Sequence, residues 1–333
     1  MTSRPAKVPN RVRTTVLALV VPLVLLAAAL AWAVAMLPEL PDQVATHWGA
    51  DGLPDGFGSP VSTLVMLAAI VVPFTIGMWA IGFYLGSTAS TRRLSVFFSI
   101  WFAVMISGLL VGSLAVQRGL TDATLAPGIG VPMAVSFAVA TLAGALAALA
   151  IPADRPQPTT APVPDGAERL TLGANEQAAW VRTAELPGLG WIMTAGAILT
   201  VLLGGIALLG GVGVGVTTLV ILAMVTLLLV LLGRWTITVD HDGLAARSVL
   251  PRPRTVVPLN EVEAAEVVDV QPLADFGGWG YRIDLTGRVG IVLRKGEAIL
   301  VHRTGGRQLV ITVDDAATGV ALLNTLADRA RLR

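Results

Sequence analysis

The sequence contains no cysteine, which excludes disulfides, thiolate nucleophiles and cysteine-ligated metal sites. Charged residues are also scarce, at 14% of the chain, against about 25% in an ordinary soluble domain. Histidine occurs only three times. Hydrophobic residues instead make up 54% of the chain. This composition excludes an ordinary water-soluble fold and indicates an integral membrane protein.

Six apolar runs are each long enough to cross a bilayer, which takes about 20 helical residues. They cover 14–36, 62–85, 94–116, 131–151, 189–209 and 214–232. The last two form one apolar block that Gly210, Gly211 and Gly213 divide, and we predict a tight turn between antiparallel helices there. The predicted fold class is therefore a polytopic α-helical membrane protein with six transmembrane helices.

Basic residues set the predicted orientation. The first run is preceded by Arg4, Lys7, Arg11 and Arg13 without any acid, and the short loop after the second run contains Arg92 and Arg93. By the positive-inside rule both flanks of this helical pair face the cytoplasm, which places the loop 37–61 outside. We predict a multi-pass plasma-membrane protein with a cytosolic basic N-terminus over 1–13 and with both termini in the cytoplasm.

The first apolar run has a second interpretation as a cleaved signal peptide. Ala31, Ala33 and Ala35 supply the small residues that a cleavage site needs. The run is longer than the roughly 7 to 15 apolar residues of a signal-peptide core, which favours a retained transmembrane helix.

Composition divides the rest of the chain. A four-helix transmembrane region over 14–151 is followed by a cytosolic linker and juxtamembrane segment over 152–188, whose first part contains five prolines and predicts an exposed tether. Trp180 and Arg182 near its end fit either a segment at the lipid headgroups or a strand added to the C-terminal domain. A transmembrane helical hairpin over 189–233 then precedes a cytosolic domain over 234–333.

The C-terminal hundred residues change to a period of two, which is typical of β-strands. The stretches "RWTITVD", "LAARSVL", "YRIDL", "AILVHR" and "QLVITV" alternate or carry β-branched residues, and glycine-containing turns separate them. A helix follows, with Asp314 as its predicted N-cap and with Val320, Leu323 and Ala327 on one face. We predict a β-rich domain closed by a C-terminal helix.

Three stretches of this region resemble the bacterial PH-like domains of membrane proteins. They are "GGWGYR" at 277–282, "GIVLRKGEAILV" at 290–301 and "VDDAATGVALLNTL" at 313–326. The resemblance covers about 235–326 and implies a PH-like fold with a surface for a protein or a lipid headgroup. It carries no catalytic residue.

The loop between the first two runs resembles an extracytoplasmic motif of a domain-of-unknown-function family that includes the SdpI-type immunity proteins. The matching residues are Leu40, Pro41, Val44, His47, Trp48, Gly52, Pro54, Asp55, Gly58 and Ser59. Ala45 departs from the usual proline and Pro60 from the usual lysine, so the motif's only cation is missing. The resemblance implies a role in immunity to a secreted toxin and in relaying its presence.

The same loop holds the candidate ligand-binding residues His47, Trp48, Asp51 and Asp55. On a helix, the spacing of the histidine and the two aspartates would place them on one face, where they could bind zinc or calcium. The glycines and the proline instead favour turns at Asp51-Gly52 and Pro54-Asp55-Gly56, in which aspartate side chains accept from backbone amides. We therefore predict a folded ligand-binding loop with no assigned metal, cofactor or catalytic residue, and metal binding at His47 stays open as an alternative.

Arg247, Arg252 and Arg254 form a basic group that could face anionic lipid on the cytoplasmic leaflet. The last hundred residues hold 12 acids and 13 bases, which also fits an ordinary solvated surface. This balance gives no support for nucleic-acid binding.

The six apolar runs contain no Asp, Glu, Lys, Arg or His, which disfavours a proton-coupled or ion-coupled transporter. We predict a non-enzymatic sensor, regulatory scaffold or immunity-type protein. Its outer loop meets an extracytoplasmic peptide or small ligand, and its cytosolic domain meets a protein or an anionic lipid headgroup. The alternative is a membrane transporter or a toxin-clearing immunity protein.

Overall fold

The computed structural model describes residues 8–49, 51–173, 176–209, 233–249 and 254–332, together with residues 218, 219, 222, 225 and 226. These residues fall into two compact units. The first, which we call the helical unit, is built on Val8–Ala153. The second, which we call the β unit, is built on Asp154–Gly196 and on the residues from 233 onward.

Five helices in the described residues are long and apolar enough to cross a membrane. Helix α1 runs through Arg11–Thr15, a π-helical stretch over Val16–Val20, and Val21–Met36; the others are α2 (Pro60–Tyr84), α3 (Ala89–Ala115), α4 (Gly130–Leu149) and α5 (Leu189–Leu209). They identify a multi-pass membrane protein. The predicted sixth span, 214–232, and the glycine turn before it lie almost wholly outside the described residues.

Helix α3 begins earlier than its apolar run. Thr88 is the N-cap, and its hydroxyl oxygen accepts a hydrogen bond from the backbone N–H of Thr91 at 3.3 Å. The helix therefore starts at Ala89, and Arg92 and Arg93 lie in its first two turns. The prediction that both arginines lie in a loop was wrong, because the cap and not the hydropathy sets where the backbone becomes helical.

A proline in α1 makes one backbone carbonyl available to α3. Pro22 has no N–H, so the carbonyl of Ala18 loses its usual donor four residues ahead. The hydroxyl of Ser99 on α3 donates to that carbonyl at 2.7 Å, and both residues are fully buried. The π-helical stretch includes this position, so the distortion of α1 and its contact with α3 occur together.

Small residues bring α3 close to α4. A Cβ atom added to Gly108 would lie 2.6 Å from the hydroxyl of Ser136, and one added to Gly112 would lie 2.6 Å from Cβ of Pro132. Neither position has room for a side chain. Gly108 and Gly112 therefore allow the backbones of α3 and α4 to approach closely.

The β unit contains two sheets in its described residues. Their strands are β3 (Trp180–Glu185), β4 (Arg234–Asp240), β5 (Gly243–Ser248), β6 (Arg254–Pro258), β7 (Val262–Val270), β8 (Gly280–Ile283), β9 (Val289–Val292), β10 (Gly296–Arg303) and β11 (Arg307–Thr312). The antiparallel four-stranded sheet has the order β3-β4-β5-β6, and the five-stranded sheet has the order β7-β10-β11-β9-β8 with only β9 and β11 parallel.

Helix α7 (Ala316–Arg331) closes the core between these strands, and a short helix α6 (Pro272–Phe276) precedes β8. Trp235, Ile237 and Leu323 are fully buried in this core. The predicted strands at β4, β5, β8, β10 and β11 and the closing helix are confirmed, whereas β6, β7 and β9 were not predicted. The assignment to the PH-like fold stays a prediction.

The two interpretations offered for the segment around Trp180 are now separated. Trp180 begins β3, which pairs with β4 through six residues from Trp180 opposite Val239 to Glu185 opposite Arg234. The indole of Trp180 is 4% exposed and donates to Asp315 at 3.1 Å. The segment is a strand of the β unit, so this unit extends beyond the predicted boundaries of 234–333.

The proline-rich part of the linker is packed and not a free tether. Residues 154–173, which we call the linker segment, contain no regular structure but lie along α7. Val163 is 1% exposed within the core, and its N–H donates to the carboxylate of Asp328 at 2.8 Å. Arg169 donates to the same carboxylate at 2.8 Å. The prediction of an exposed tether was therefore wrong for this segment.

Glu261 joins the linker segment to the sheets. Its carboxylate accepts from the N–H of Gln157 at 3.0 Å, from Arg303 at 2.6 Å and from Arg307 at 3.1 Å. Burial alone would raise the pKa of Glu261, but these hydrogen bonds and the two positive charges lower it overall. The carboxylate therefore stays ionised where it holds the linker segment.

The start of α7 differs by one residue from the predicted one. Asp315 and not Asp314 occupies the N-cap position, in a left-handed conformation with φ of 58°. The carboxylate of Asp315 is held by Trp180, Arg182 and Thr318, and the hydrogen bonds from Thr318 and Trp180 lower its pKa. Asp314 instead pairs with Arg294 at 2.7 Å.

Replacing Val163 by aspartate should release the linker segment. An unpaired carboxylate in this apolar core costs at least about 2 kcal/mol, so trypsin should cleave after Arg169 about thirtyfold faster than in the wild type. The rate is measured on the purified full chain by mass spectrometry of the fragments.

The matched control is Thr160→Asp, which adds the same charge at an exposed position of the segment. It should leave the cleavage rate unchanged. Rapid cleavage of the wild-type chain after Arg169 would contradict the packed linker segment.

Candidate functional site

The loop between α1 and α2 is a β-hairpin. Strand β1 (Val44–Trp48) pairs antiparallel with β2 (Pro54–Gly58), with irregular register on both sides of His47. The Asp51-Gly52 turn is confirmed: the N–H of Leu53 donates to the carboxylate of Asp51 at 3.0 Å, and Gly52 has a φ of 78°. The predicted turn at 54–56 is wrong, because these residues belong to β2.

The hairpin brings His47 and Asp55 together. Nδ1 of His47 lies 2.5 Å from a carboxylate oxygen of Asp55, and the side chains are 73% and 55% exposed. Gly56, which pairs with His47, permits this approach, because a Cβ atom there would lie 2.9 Å from Cβ of His47. An exposed pair of this kind contributes little to stability. Both side chains therefore remain accessible to a ligand.

Asp51 lies close to this pair across Gly49. A Cβ atom on Gly49 would lie 2.9 Å from a carboxylate oxygen of Asp51 and 3.2 Å from one of Asp55. The structure places the histidine and both aspartates on a hairpin and not on one helical face. Within the described residues, no group of three or more His, Cys, Asp or Glu side chains is arranged to hold a metal ion.

Trp48 points toward the next loop of the helical unit. Its indole N–H donates to the carbonyl of Pro127 at 3.2 Å. Trp48 therefore attaches the hairpin to the loop between α3 and α4. Of the four predicted residues, His47 and Asp55 form a pair, Asp51 holds the turn, and Trp48 contacts a second loop.

Gln117 is the main contact of the hairpin and was not predicted. It lies two residues after α3 and is fully buried. Its side-chain oxygen accepts from the N–H of Ala45 at 2.7 Å, and its side-chain NH₂ donates to the carbonyl of Ala45 at 3.1 Å and to that of Ser113 at 2.9 Å. A polar residue directly after a long apolar run was the signal in the sequence.

Apolar packing supports the same contact. Val44 is fully buried and packs with Ala33 of α1, Leu64 of α2, and Leu110 and Leu114 of α3. Val44 and Ala45 are thus buried while the next two residues of β1 are exposed. The hairpin has one end fixed to three helices, while the other end carries the exposed His47 and Asp55 and contacts the α3–α4 loop through Trp48.

The two loops at this end of the helical unit carry mainly negative charge. Glu39 pairs with Arg118 at 2.7 Å and accepts through its backbone carbonyl from the N–H of Gly119 at 2.8 Å. Hydrogen bonds from the backbone and the hydroxyl of Thr124 lower the pKa of Asp122. Asp42, Asp51 and Asp55 have no Lys or Arg partner among the described residues.

The predicted basic group lies at the end of the four-stranded sheet of the β unit. Arg247 on β5 is directly opposite Arg254 on β6, and both are exposed. Arg252 lies outside the described residues. Two other basic residues of the β unit form ion pairs: Arg288 with Asp284 at 2.5 Å and Arg294 with Asp314.

Residues 23–72 match the family described as Domain of unknown function (DUF1648). The matched stretch holds the C-terminal part of α1, the hairpin and the N-terminal half of α2. No curated protein and no solved structure matches the chain. The predicted domain-of-unknown-function family is thus confirmed for this stretch, while the SdpI-type relationship stays a prediction.

Replacing Gln117 by leucine should destabilise the helical unit. Both backbone groups of Ala45 would remain buried without partners, at a cost of about 1–3 kcal/mol each. We expect a free energy of unfolding lower by about 2–6 kcal/mol in urea denaturation of the full chain in detergent.

The neighbouring variant Arg118→Gln removes only an exposed ion pair and should cost less than about 1 kcal/mol. Equal stability of Gln117→Leu and the wild type would show that the buried amide does not hold the hairpin.

Proposed function

We propose that this chain is a non-enzymatic sensor or regulatory scaffold of the bacterial plasma membrane. The hairpin faces the outside and binds an extracytoplasmic ligand, and the β unit faces the cytoplasm and contacts a partner. The observation that carries this proposal is the hydrogen bonding of Gln117, which ties a largely exposed hairpin to the helix at the centre of the helical unit.

Helix α3 supports a coupling role because it packs against α1, α2 and α4. Its buried side chains extend from Ala89 to Leu114. A force on the hairpin reaches this helix directly through Gln117. A displacement of α3 would change all three of these helix contacts, because close-packed interfaces do not deform gradually.

The other end of α3 holds the exit of the chain from the helical unit. The guanidinium of Arg93 donates to the carbonyl of Ile151 at 3.0 Å, and Ile151 is fully buried. The linker segment starts three residues later and is bonded to α7 through Val163 and Arg169. Ligand-dependent movement of α3 therefore has a covalent and hydrogen-bonded route to the β unit.

The chemistry of the hairpin favours a positively charged peptide or small ligand. The exposed carboxylates of Asp51 and Asp55 attract cations, and His47 offers a ring nitrogen. Leu53 and Phe57 are 63% and 40% exposed on the same hairpin and offer apolar contact. A ligand with both cationic and apolar groups matches this surface.

The pairing of β3 with β4 favours an even number of membrane crossings between them. Glu185 and Arg234 are paired at one end of the ladder, and the N–H of Leu186 donates to the carbonyl of Gly233 at 2.9 Å. The chain thus leaves and re-enters the β unit at one place, and therefore on one side of the bilayer. With α5 as one crossing, this pairing supports the proposed six spans with both termini on the same side, which the positive-inside rule assigns to the cytoplasm.

Single-cysteine labelling tests this topology, because the natural chain has no cysteine. Leu125→Cys in the α3–α4 loop should react with a membrane-impermeant maleimide on intact cells. Thr160→Cys in the linker segment should react only after permeabilisation. Both positions are exposed in the structure, so burial does not protect either of them. Labelling of Thr160→Cys on intact cells would contradict the topology.

Affinity purification from native membranes tests the coupling. The wild-type chain and the His47→Ala/Asp55→Ala variant are compared for copurifying cytosolic proteins. We expect a partner whose yield changes at least about threefold in the variant, which corresponds to a modest coupling free energy of about 0.7 kcal/mol. Asp42→Ala removes an exposed acid from the same loop and should leave the yield unchanged.

Identical partner yields in all three proteins would contradict a sensor. The alternative, a transporter or toxin-clearing immunity protein, then gains support if the reconstituted chain moves a solute or protons across vesicles.

A further inference from the structure

We propose that Arg247 and Arg254 bind the phosphate groups of anionic phospholipids in the bilayer that α5 enters. The site is the end of the four-stranded sheet nearest to that helix. This inference rests on the insertion of α5 into the membrane and is independent of whether the hairpin binds a ligand.

The two arginines form an unbalanced pair. They are directly opposite each other on β5 and β6, and like charges in this position repel. Among the described residues, neither guanidinium has a carboxylate within ion-pair distance. An anion between them would remove the repulsion, and the planar donors of arginine suit phosphate oxygens.

The row across the sheet that contains the pair is open to solvent. Thr183 on β3 lies opposite Thr236 on β4, and Thr236 lies opposite Arg247 on β5. These residues and Arg254 are all exposed. The two threonine hydroxyls on this row add hydrogen-bond donors beside the guanidinium groups.

The arginine pair lies near the strand ends that join the membrane helix. Only three residues separate Glu185 from α5, and Glu185 is paired with Arg234. Arg247 is paired with Thr236, which follows Arg234 by two residues on β4. The arginine pair is therefore about 7 Å along the strand from Arg234. The headgroup layer is about 5–8 Å thick on each side of the hydrocarbon core.

Charge along the sheet favours the same orientation. Arg234, Arg247 and Arg254 lie toward the end that joins α5, whereas Asp240 and Asp242 lie at the β4–β5 turn at the other end. Among the described residues, the acid at the basic end of this sheet is Glu185, which is 3.7 Å from Arg234. An anionic surface would therefore attract the near end of the sheet and repel the far end.

The test uses the full chain with Val256→Cys, which introduces a single cysteine on the exposed face of β6 beside the arginines. A fluorophore at this position reports access of acrylamide, an uncharged quencher. The chain is placed in nanodiscs of phosphatidylcholine alone or with about 30% phosphatidylglycerol, a fraction that gives a strongly anionic surface.

We expect the quenching constant to be about threefold lower with phosphatidylglycerol, because each arginine near an anionic surface strengthens the contact about fivefold. The Arg247→Gln/Arg254→Gln variant should lose this difference. The Arg282→Gln/Lys295→Gln variant removes two exposed charges from the five-stranded sheet and its turns and should keep it. The Arg247→Lys/Arg254→Lys variant should retain part of it.

Equal quenching in the two lipid compositions would overturn the proposal. So would an unchanged lipid effect in the Arg247→Gln/Arg254→Gln variant. A different outcome is that inorganic phosphate lowers the quenching constant in phosphatidylcholine nanodiscs while phosphatidylglycerol has no effect. This result would assign the arginines to a free anion and would overturn the proposal that they bind lipid phosphate. Loss of labelling at Leu125→Cys would count against the membrane topology and not against this site.

Discussion

The side-chain amide of Gln117 satisfies both backbone groups of Ala45 in a buried position, and the arrangement of the hairpin depends on it. An amide can do this because it offers a donor and an acceptor side by side. Val44 contributes apolar packing beside it, and Trp48 adds a bond to Pro127. With that end fixed, His47 and Asp55 occupy the exposed end of a short, defined hairpin. The exposed pair can meet a ligand without contributing to the fold.

The β unit is built around the point where the chain leaves for α5 and returns. The pairing of Glu185 with Arg234 makes β3 and β4 neighbours although 48 residues lie between them. The linker segment then lies along α7, where Asp328 and Glu261 hold its backbone. Each unit thus depends on hydrogen bonds between residues that are distant in sequence. Movement of α3 relative to Ile151 would reach the β unit through this linker segment.

The sequence predicted the elements whose signals are local. Apolar length predicted the five described spans, alternation predicted five strands, and Asp51-Gly52 predicted a turn. Long-range contacts had no comparable signal. The prolines of the linker segment suggested an exposed tether. Because a proline has no N–H, a proline-rich segment can pack with few hydrogen-bond partners. The N–H groups of Gln157 and Val163 donate to the carboxylates of Glu261 and Asp328. The charge balance of the last hundred residues likewise concealed the position of Arg247 opposite Arg254.

Hydrogen exchange at the amide of Ala45 tests the central claim most directly. In the full chain in nanodiscs, the bond to Gln117 and the burial of Ala45 should slow its exchange about a thousandfold relative to an unstructured peptide, as for amides inside α3. Exchange at the rate of an unstructured peptide would show that the hairpin is not held on α3, and the coupling between an outer ligand and the β unit would lose its basis.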